Sequence, residues 1–347
     1  MESDNKKYKD IWPEARIIAS SRCNLKCLYC SGEGGGNHPR RNWWKDDFSQ
    51  EHTFQLVSIL RNSGIEHIHL TGGEPTLNKN WYKIVNVFKR TESFNVAMTT
   101  NGLLFYEKIL KELPRYLDEI HVHYFSKNKS YCQKTLGENY NPQTIIKLIE
   151  RSRYSIVTRL DIPVTKQNIN ELSEILDWIF LPDNQESENK LSAKLFELLP
   201  GNNPFFEKFS IPVSEIENEL IRWGNKRKLK LEIPHSVETE CGIYLGVKGC
   251  QGEVIVVPAS IPCIEKILAQ NTSNFYQNEN VSNHSKLTVA NHDFIYHPQF
   301  ENRFWIGSGK KNKFLFTPCM HEKPVELKPS QLENTIIEWK KLRNSTN

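Results

Sequence analysis

The chain has 347 residues, 38% of them hydrophobic and 25% charged, with a formal net charge of +4 at neutral pH. That length can bury a large core in one or two domains, and the composition is that of a soluble globular protein. The charge excess suits an anionic substrate but is too small for a nucleic-acid stripe, and no run of about 18 apolar residues exists to span a membrane.

Residues 1–12 are charged and lack an apolar h-region, so no signal peptide is expected and the expected compartment is cytoplasmic. Eight cysteines in that setting point to metal ligands or reduced thiols rather than disulfides.

From residue 14 onward, strand and helix patterns alternate. Strands are expected at 15–20, 67–71, 95–100, 119–125, 157–164 and 194–199. Between them, Phe54, Val57 and Leu60 share one helical face, with Gly64 as the stop. Trp81, Ile84, Val85 and Phe88 form a second stripe. Ile145, Ile146 and Ile149 form a third, opened by Asn141-Pro142, a capping residue with proline at the first helical position. Leu172, Ile175, Leu176 and Ile179 form a fourth. Strands joined in this way pair in parallel through right-handed crossovers.

The expected fold is therefore α/β: a partial (β/α)6 TIM-type barrel with a C-terminal extension, divided as residues 14–235 and 236–347. Residues 183–193 read as a polar loop, and 213–223 as a helix burying Ile216, Leu220 and Ile221. Beyond 236 the alternation stops, and 270–292, rich in Asn and Ser, reads as a long loop. Ser330-Gln331-Leu332-Glu333 has the pattern of a capping box that opens a last helix.

Two motifs carry chemistry. Cys23-Asn24-Leu25-Lys26-Cys27-Leu28-Tyr29-Cys30 follows the first strand. Three thiolates can hold three irons of a [4Fe–4S] cluster and leave the fourth open to a ligand. The alternative is a zinc knuckle, which normally closes with paired Cys-x-x-Cys arms, and no second paired arm occurs. Leu70-Thr71-Gly72-Gly73-Glu74-Pro75 ends the second strand, with two glycines that permit close backbone approach and a proline that stiffens the exit. Both motifs fall at C-terminal strand ends, where barrels place their active sites.

Together these motifs resemble the radical S-adenosylmethionine (SAM) superfamily. The resemblance implies that Cys23, Cys27 and Cys30 ligate the cluster, and that SAM chelates the open iron. It also implies that Gly72, Gly73 and Glu74 hold SAM, and that cleavage gives a 5′-deoxyadenosyl radical. Tyr29 would pack near the adenine; simple packing is the alternative.

Further segments resemble one branch of that superfamily, the GTP cyclase of molybdenum-cofactor synthesis. They are 70–77, Met98-Thr99-Thr100-Asn101-Gly102-Leu103-Leu104 and Phe196-Glu197-Leu198-Leu199-Pro200-Gly201. The similarity runs through roughly residues 14–265 and returns at 302–321. It implies cofactor roles for Thr100, Asn101 and His123, the last standing where a serine is expected near the SAM ribose.

Departures from the branch are equally specific. His67 and His69 occupy positions of two triphosphate-binding basic residues, and neutral histidine surrenders charge attraction. Alternatively the two histidines are packed polar groups on one strand face. Arg303 corresponds to a substrate arginine, but Trp305 replaces the next one. The C-terminal Gly-Gly tail of the cyclase is not found. Lys266 stands where the middle ligand of the cyclase's second cluster is expected. A second [4Fe–4S] cluster on Cys241, Cys250, Cys263 and Cys319 is the expectation here, with buried free thiols as the alternative. Cys132 reads as structural. Gly32-Glu33-Gly34-Gly35-Gly36 reads as a loop over SAM, and Arg40-Arg41-Asn42-Trp43-Trp44-Lys45 as a tryptophan-anchored loop or an anion contact.

The functional expectation is an enzyme that rearranges or cyclises a small, nucleoside-like substrate and takes its electron from a reducing donor. The second reading is modification of a ribosomally made peptide, although the dozen residues before the barrel leave no room for the usual peptide-binding module. The third is a non-enzymatic iron–sulfur or zinc module.

Overall fold

Ala15, Ile17 and Ala19 are wholly buried among apolar side chains, while Glu14 and Arg16, on the opposite face of the same strand, meet polar ones. That two-sided pattern recurs along the sheet and defines the molecule. The computed structural model describes residues 13–30, 42–44, 46–105, 107–181, 191–198, 204–229, 231–232, 243–247, 253–257, 285–289, 292–296, 303–318 and 323–345.

Strands β1 (Glu14–Ser20), β2 (His67–Gly72), β3 (Asn95–Thr100), β4 (Glu119–His123), β5 (Val157–Pro163) and β6 (Leu191–Phe196) pair in sequence order, each parallel to the next. The crossovers carry helices α1 (Gln50–Asn62), α2 (Trp81–Lys89), α3 (Glu107–Tyr116), α4 (Lys129–Leu136), α5 (Pro142–Ser152) and α6 (Leu172–Phe180). Helices α7 (Pro204–Phe209) and α8 (Val213–Arg227) follow β6. The expected α/β fold with a parallel barrel-type sheet is therefore present.

The remaining strands are β7 (Leu231–Glu232), β8 (Ile243–Val247), β9 (Glu253–Val257), β10 (Ser285–Val289), β11 (His292–Tyr296), β12 (Arg303–Ser308), β13 (Phe314–Thr317) and β14 (Val325–Leu327), before helix α9 (Pro329–Ser345). Strand β9 pairs in parallel with β6 at one edge, and β12 pairs in parallel with β1 at the other. The parallel run is thus β12-β1-β2-β3-β4-β5-β6-β9, flanked by antiparallel β8 and β7 on one side and β13 and β14 on the other. Helix α9 closes over α1: Asn62 Nδ2 donates to Glu333 Oε1 at 3.0 Å, and Lys340 Nζ to the Gly64 carbonyl at 2.8 Å.

Several sequence expectations are corrected at the level of single residues. On α1 the buried face is Thr53, Leu56, Ile59 and Leu60, and Phe54 is 60% exposed. Thr53 can be buried because its hydroxyl donates to the Ser49 carbonyl at 2.9 Å. On α8, Ile221 is exposed and Trp223 takes the inward position, its indole N–H donating to Asp177 Oδ1 at 2.9 Å. Residues 191–193 belong to β6, where Leu191 and Ala193 bury their side chains, not to a loop. Within 270–292, residues 285–289 form the antiparallel hairpin of β10 with β11. The last helix starts at Pro329, so Ser330 is inside it. Gln331 Oε1 accepts from the Lys328 N–H at 3.0 Å, which is the back-bond of a capping box placed two residues earlier. Asn141 does cap α5, accepting from the Gln143 N–H at 3.2 Å.

The outward residues of the strands, among them Ile68, Leu70, Val96, Met98, Ile120, Val122, Leu160 and Ile162, form the main core. The inward residues sit level with one another by register: Glu14 with His67 and Arg303, Arg16 with His69, Thr99 with His121 and Arg159, and His123 with Asp161 and Lys194. Parallel barrel strands usually fill this space with branched apolar residues. Here most of those positions are polar or charged.

Candidate active site

The thiol loop leaves β1 and is clamped at once to the end of β2. The Gly73 N–H donates to the Ser20 carbonyl and the Glu74 N–H to the Arg22 carbonyl, both at 2.8 Å. The approach is so close that a Cβ on Gly72 would lie 2.2 Å from the Ser20 oxygen, and one on Gly73 would lie 2.3 Å from the Arg22 oxygen. Gly72 also has φ +138°, outside the range most L-residues adopt. The glycines thus have a reason the sequence does not reveal: they admit the protein's own backbone. On its far side the loop docks on α4, with the Lys26 N–H donating to the Leu136 carbonyl at 2.8 Å and the Leu28 N–H to the Thr135 carbonyl at 2.9 Å.

Cys23, Cys27 and Cys30 are half-buried in this loop. Burial pushes the Cys23 thiol up to about 11, with added repulsion from Glu74 and Cys30. Burial and the neighbouring Cys30 and Cys23 hold Cys27 well above the ordinary range. Cys23 and Cys27 ionise together only against a strong positive charge, which a bound metal centre supplies. Among the described residues no three His, Cys, Asp or Glu side chains converge on a single ion. A cubane cluster takes each thiolate on a different iron, so its ligands need not converge. The loop therefore fits a three-thiolate [4Fe–4S] cluster.

Glu74 is 1% exposed and accepts from four donors. The Thr76 N–H at 3.1 Å, the Thr76 hydroxyl at 2.5 Å and the Thr100 hydroxyl at 2.8 Å reach Oε1, and the Asn101 N–H reaches Oε2 at 2.7 Å. Burial raises its pKa and those hydrogen bonds oppose the rise. Asn101 then reaches the thiol loop, its Nδ2 donating to Asn24 Oδ1 at 2.7 Å. Glu74, Thr100, Asn101 and the residue beside Cys23 are one hydrogen-bonded unit across the ends of β1, β2 and β3.

Tyr29 fastens the other side of the loop. Its hydroxyl lies 2.7 Å from His123 Nε2 at the end of β4, and its ring packs against Phe125 and Phe205 at 5.7 and 5.8 Å between centroids. Burial lowers the His123 pKa to about 4, with Asp161 opposing, so the imidazole is neutral near pH 7. The structure thus gathers Cys23, Cys27, Cys30, Tyr29, Gly72, Gly73, Glu74, Thr100, Asn101 and His123 at the C-terminal end of the parallel strands.

Below that mouth lies a polar floor. His69 is fully buried, with Nδ1 3.2 Å from Glu14 Oε2 and Nε2 2.7 Å from Thr99 Oγ1. Its ring is 4.6 Å from that of His121. His121 Nδ1 accepts from Arg159 Nη2 at 2.6 Å, and Arg159 Nε donates to Asp161 at 3.2 Å. Arg16 pairs with Glu14 at 2.7 Å. His67 and Arg303 stand level with Glu14 at the starts of their strands, away from the thiols. Sequence reasoning missed Glu14, Arg16, Thr99, His121, Arg159 and Asp161. Their signal was present in the alternation of His121-x-His123 and Arg159-x-Asp161 on strands. Trp305 packs with Ile18 and Trp44 on the same inner face, and Trp44 lies against Gly307. Cys132 is buried and donates to the Ser126 carbonyl at 3.0 Å. Cys241, Cys250, Cys263, Cys319 and residues 32–36 lie outside the described residues.

A family model for the radical SAM superfamily matches residues 17–179. The chain carries a radical SAM domain. The match runs from β1 through α6 and includes every residue gathered at the mouth; Arg303 and the four C-terminal cysteines lie beyond it. The matched domain is that of radical SAM enzymes, a family that implies a [4Fe–4S] cluster and SAM.

Among known proteins, the chain is similar to a probable GTP 3′,8-cyclase of Archaeoglobus fulgidus. The two are 27% identical over 233 residues, covering 64% of this chain and 72% of the relative. It is 28% identical over 212 residues to the molybdenum cofactor biosynthesis protein moc-5 of Caenorhabditis elegans, covering 59% of this chain and 33% of that one. Among solved structures, Streptococcus suis SuiB bound to S-adenosylmethionine matches with a TM-score of 0.56 at 13% identity, over 91% of this chain and 63% of SuiB. SuiB bound to the precursor peptide SuiA gives a TM-score of 0.55 at 12% identity, over 89% of this chain and 60% of SuiB. This chain therefore spans less than two thirds of SuiB, and that likeness concerns the fold. No helix among the described residues is long and apolar enough to cross a membrane.

Proposed function

We propose that this radical SAM enzyme rearranges or cyclises a small, nucleoside-like substrate held inside the barrel mouth. When bound, the cluster and SAM supply an electron and a 5′-deoxyadenosyl radical that removes a hydrogen atom from the substrate. Cys23, Cys27 and Cys30 would hold the cluster. Glu74, Thr100 and Asn101 brace the strand ends so that Gly72 and Gly73 present their backbone to SAM. Tyr29 and His123 fix the opposite wall.

The two-sided character of the strands carries this reading. Apolar residues face the helices, and charged residues face the interior directly beneath the thiol loop. Buried His121 lies one layer below His123 and Asp161 with the His69 ring packed against it, so the interior is closed beneath the mouth, which favours a small molecule. Similarity to cyclases named for GTP supports a nucleoside-like substrate. GTP itself is disfavoured, because His67 stands at the start of its strand away from the thiols and buried His69 is held by Glu14 and Thr99, so neither offers a cation to a triphosphate. A second cluster on Cys241, Cys250, Cys263 and Cys319 belongs to the same proposal.

The test is 5′-deoxyadenosine production by reconstituted enzyme with SAM and dithionite, in the presence of nucleosides, nucleoside monophosphates, GTP or peptides. A nucleoside or monophosphate is expected to raise production at least about tenfold above the substrate-free rate, with GTP ineffective. Stimulation by peptides alone would overturn the reading.

A further inference from the structure

Glu119, His121 and His123 alternate on the inner face of β4, and Arg159 and Asp161 on that of β5. Glu119, His121, Arg159 and Asp161 form one chain of contacts running up the interior. Glu119 Oε2 lies 3.2 Å from His121 Nε2, His121 Nδ1 accepts from Arg159 Nη2 at 2.6 Å, and Arg159 Nε donates to Asp161 Oδ1 at 3.2 Å. Each link fixes the next. Arginine only donates, so its bond makes Nδ1 of His121 the acceptor and puts the ring proton on Nε2, facing the Glu119 carboxylate. The guanidinium is planar, so holding Nη2 on His121 also sets the direction in which Nε–H meets Asp161.

The chain ends on an open acceptor. Asp161 Oδ2 makes no hydrogen bond among the described residues, although the side chain is only 14% exposed. Asp161 is level with His123 at the mouth, one row above buried His121. The thiol loop reaches the ends of β2, β3 and β4, the last through Tyr29 and His123, and β5 is the next strand beyond that contact. The cations beside Asp161 are engaged: Arg159 holds Asp161 itself, and Lys194, level with it on β6, has its ammonium 5.5 Å from the centre of the Phe196 ring. A carboxylate oxygen held in one direction inside a half-closed site is prepared for a ligand's hydrogen-bond donor.

We infer that Asp161 accepts a hydrogen bond from a ribose hydroxyl of the substrate, and that Glu119, His121 and Arg159 are its positioning residues. This rests on the nucleoside-like substrate proposed above. The choice of group follows from the single open oxygen. A guanine edge offers two N–H donors side by side and fills both oxygens of a carboxylate, whereas a hydroxyl offers one donor. A carboxylate on a ribose hydroxyl is also how dinucleotide-binding folds grip that sugar. SAM carries a ribose as well, and the test separates the two.

Binding is measured by calorimetry on reconstituted enzyme with SAM and no reductant. The probes are adenosine, guanosine, cytidine and uridine with their 2′-deoxy and 3′-deoxy counterparts, and iron content and SAM affinity are read alongside. Wild type is expected to bind a nucleoside and to lose about tenfold in affinity when one of its hydroxyls is removed, the scale of a hydrogen bond to a charged group. In Asp161→Asn, Arg159 keeps the side-chain oxygen and an amide N–H turns to the mouth. This variant should bind the nucleoside about tenfold more weakly and no longer distinguish the deoxy form, with wild-type iron content and SAM affinity. Arg159→Lys keeps the charge but not the fork, and should lose part of the discrimination. An Asp161→Asn protein that still tells the two nucleosides apart would overturn the inference. So would a loss that falls on SAM affinity, which would assign Asp161 to the ribose of SAM. Failure of wild type to bind any nucleoside would instead overturn the nucleoside-like reading, and this role with it.

Discussion

The backbone of Gly73 lies so close to Arg22 that a Cβ on the glycine would sit 2.3 Å from the arginine carbonyl oxygen. The end of β2 and the start of the thiol loop are therefore a single packed unit. What the loop presents depends on what the turn lacks.

Gly73→Ala should force those two backbones apart. Overpacking of this kind costs about 1–3 kcal/mol. The urea midpoint should fall accordingly, and iron bound per chain after reconstitution should drop. An alanine variant with wild-type midpoint and iron content would show that the loop has room the structure denies.

Glu74→Gln tests the brace. A carboxylate accepts all four of its hydrogen bonds, whereas an amide must turn a donor toward at least one of those N–H or O–H groups. Leaving a buried donor unmatched costs about 1–3 kcal/mol. Denaturation of the metal-free protein should register that loss, and SAM affinity should fall with it. An unchanged midpoint would remove Glu74 from the structural account.

Three interior histidines predict the pH response. Burial lowers His69 and His121 below the ordinary value of 6.5 and takes His123 to about 4. For each, the unfolded chain takes up a proton that the folded chain refuses. Their contribution to stability is complete above about pH 6.5 and is lost as pH falls toward the folded values. Glu74 acts in the opposite sense: its pKa is raised by burial, so its contribution is present below the ordinary value of 4.5 and fades as pH rises. The midpoint of the metal-free protein should therefore drop between pH 6.5 and 4, and His123→Gln should flatten the slope. Superimposable slopes for the two proteins would contradict the assignment.

The face of α1 gives a direct packing test. Leu56 is fully buried and Phe54 is 60% exposed. Leu56→Ala should cost about 2–5 kcal/mol, whereas Phe54→Ala should stay within about 0.5 kcal/mol of wild type. The reverse order would restore the helical face read from spacing alone.

That reversal shows where sequence reading runs out. Phe54, Val57 and Leu60 have helical spacing, but so do Thr53, Leu56 and Leu60, and only the Thr53–Ser49 hydrogen bond explains why a threonine is inside. The six central strands and both motifs were legible, because alternation and close thiol spacing are local signals. The outermost parallel strands β9 and β12 were not, since what makes them parallel partners is pairing with β6 and β1 across long stretches of chain. At the site, Cys23, Cys27, Cys30 and the Gly72–Glu74 turn could be read directly. The links between them, Asn24 to Asn101 and Tyr29 to His123, join residues 77 and 94 positions apart and leave no mark in a single sequence.

The most direct test of the central claim is iron content and 5′-deoxyadenosine formation after anaerobic reconstitution, comparing wild type with a C23A/C27A/C30A variant. The account predicts that wild type binds about four irons at this site and cleaves SAM under dithionite. The variant should lose those irons and all cleavage, keeping only iron held by the C-terminal cysteines. A variant that still makes 5′-deoxyadenosine, or a fully loaded wild type that makes none, would contradict it.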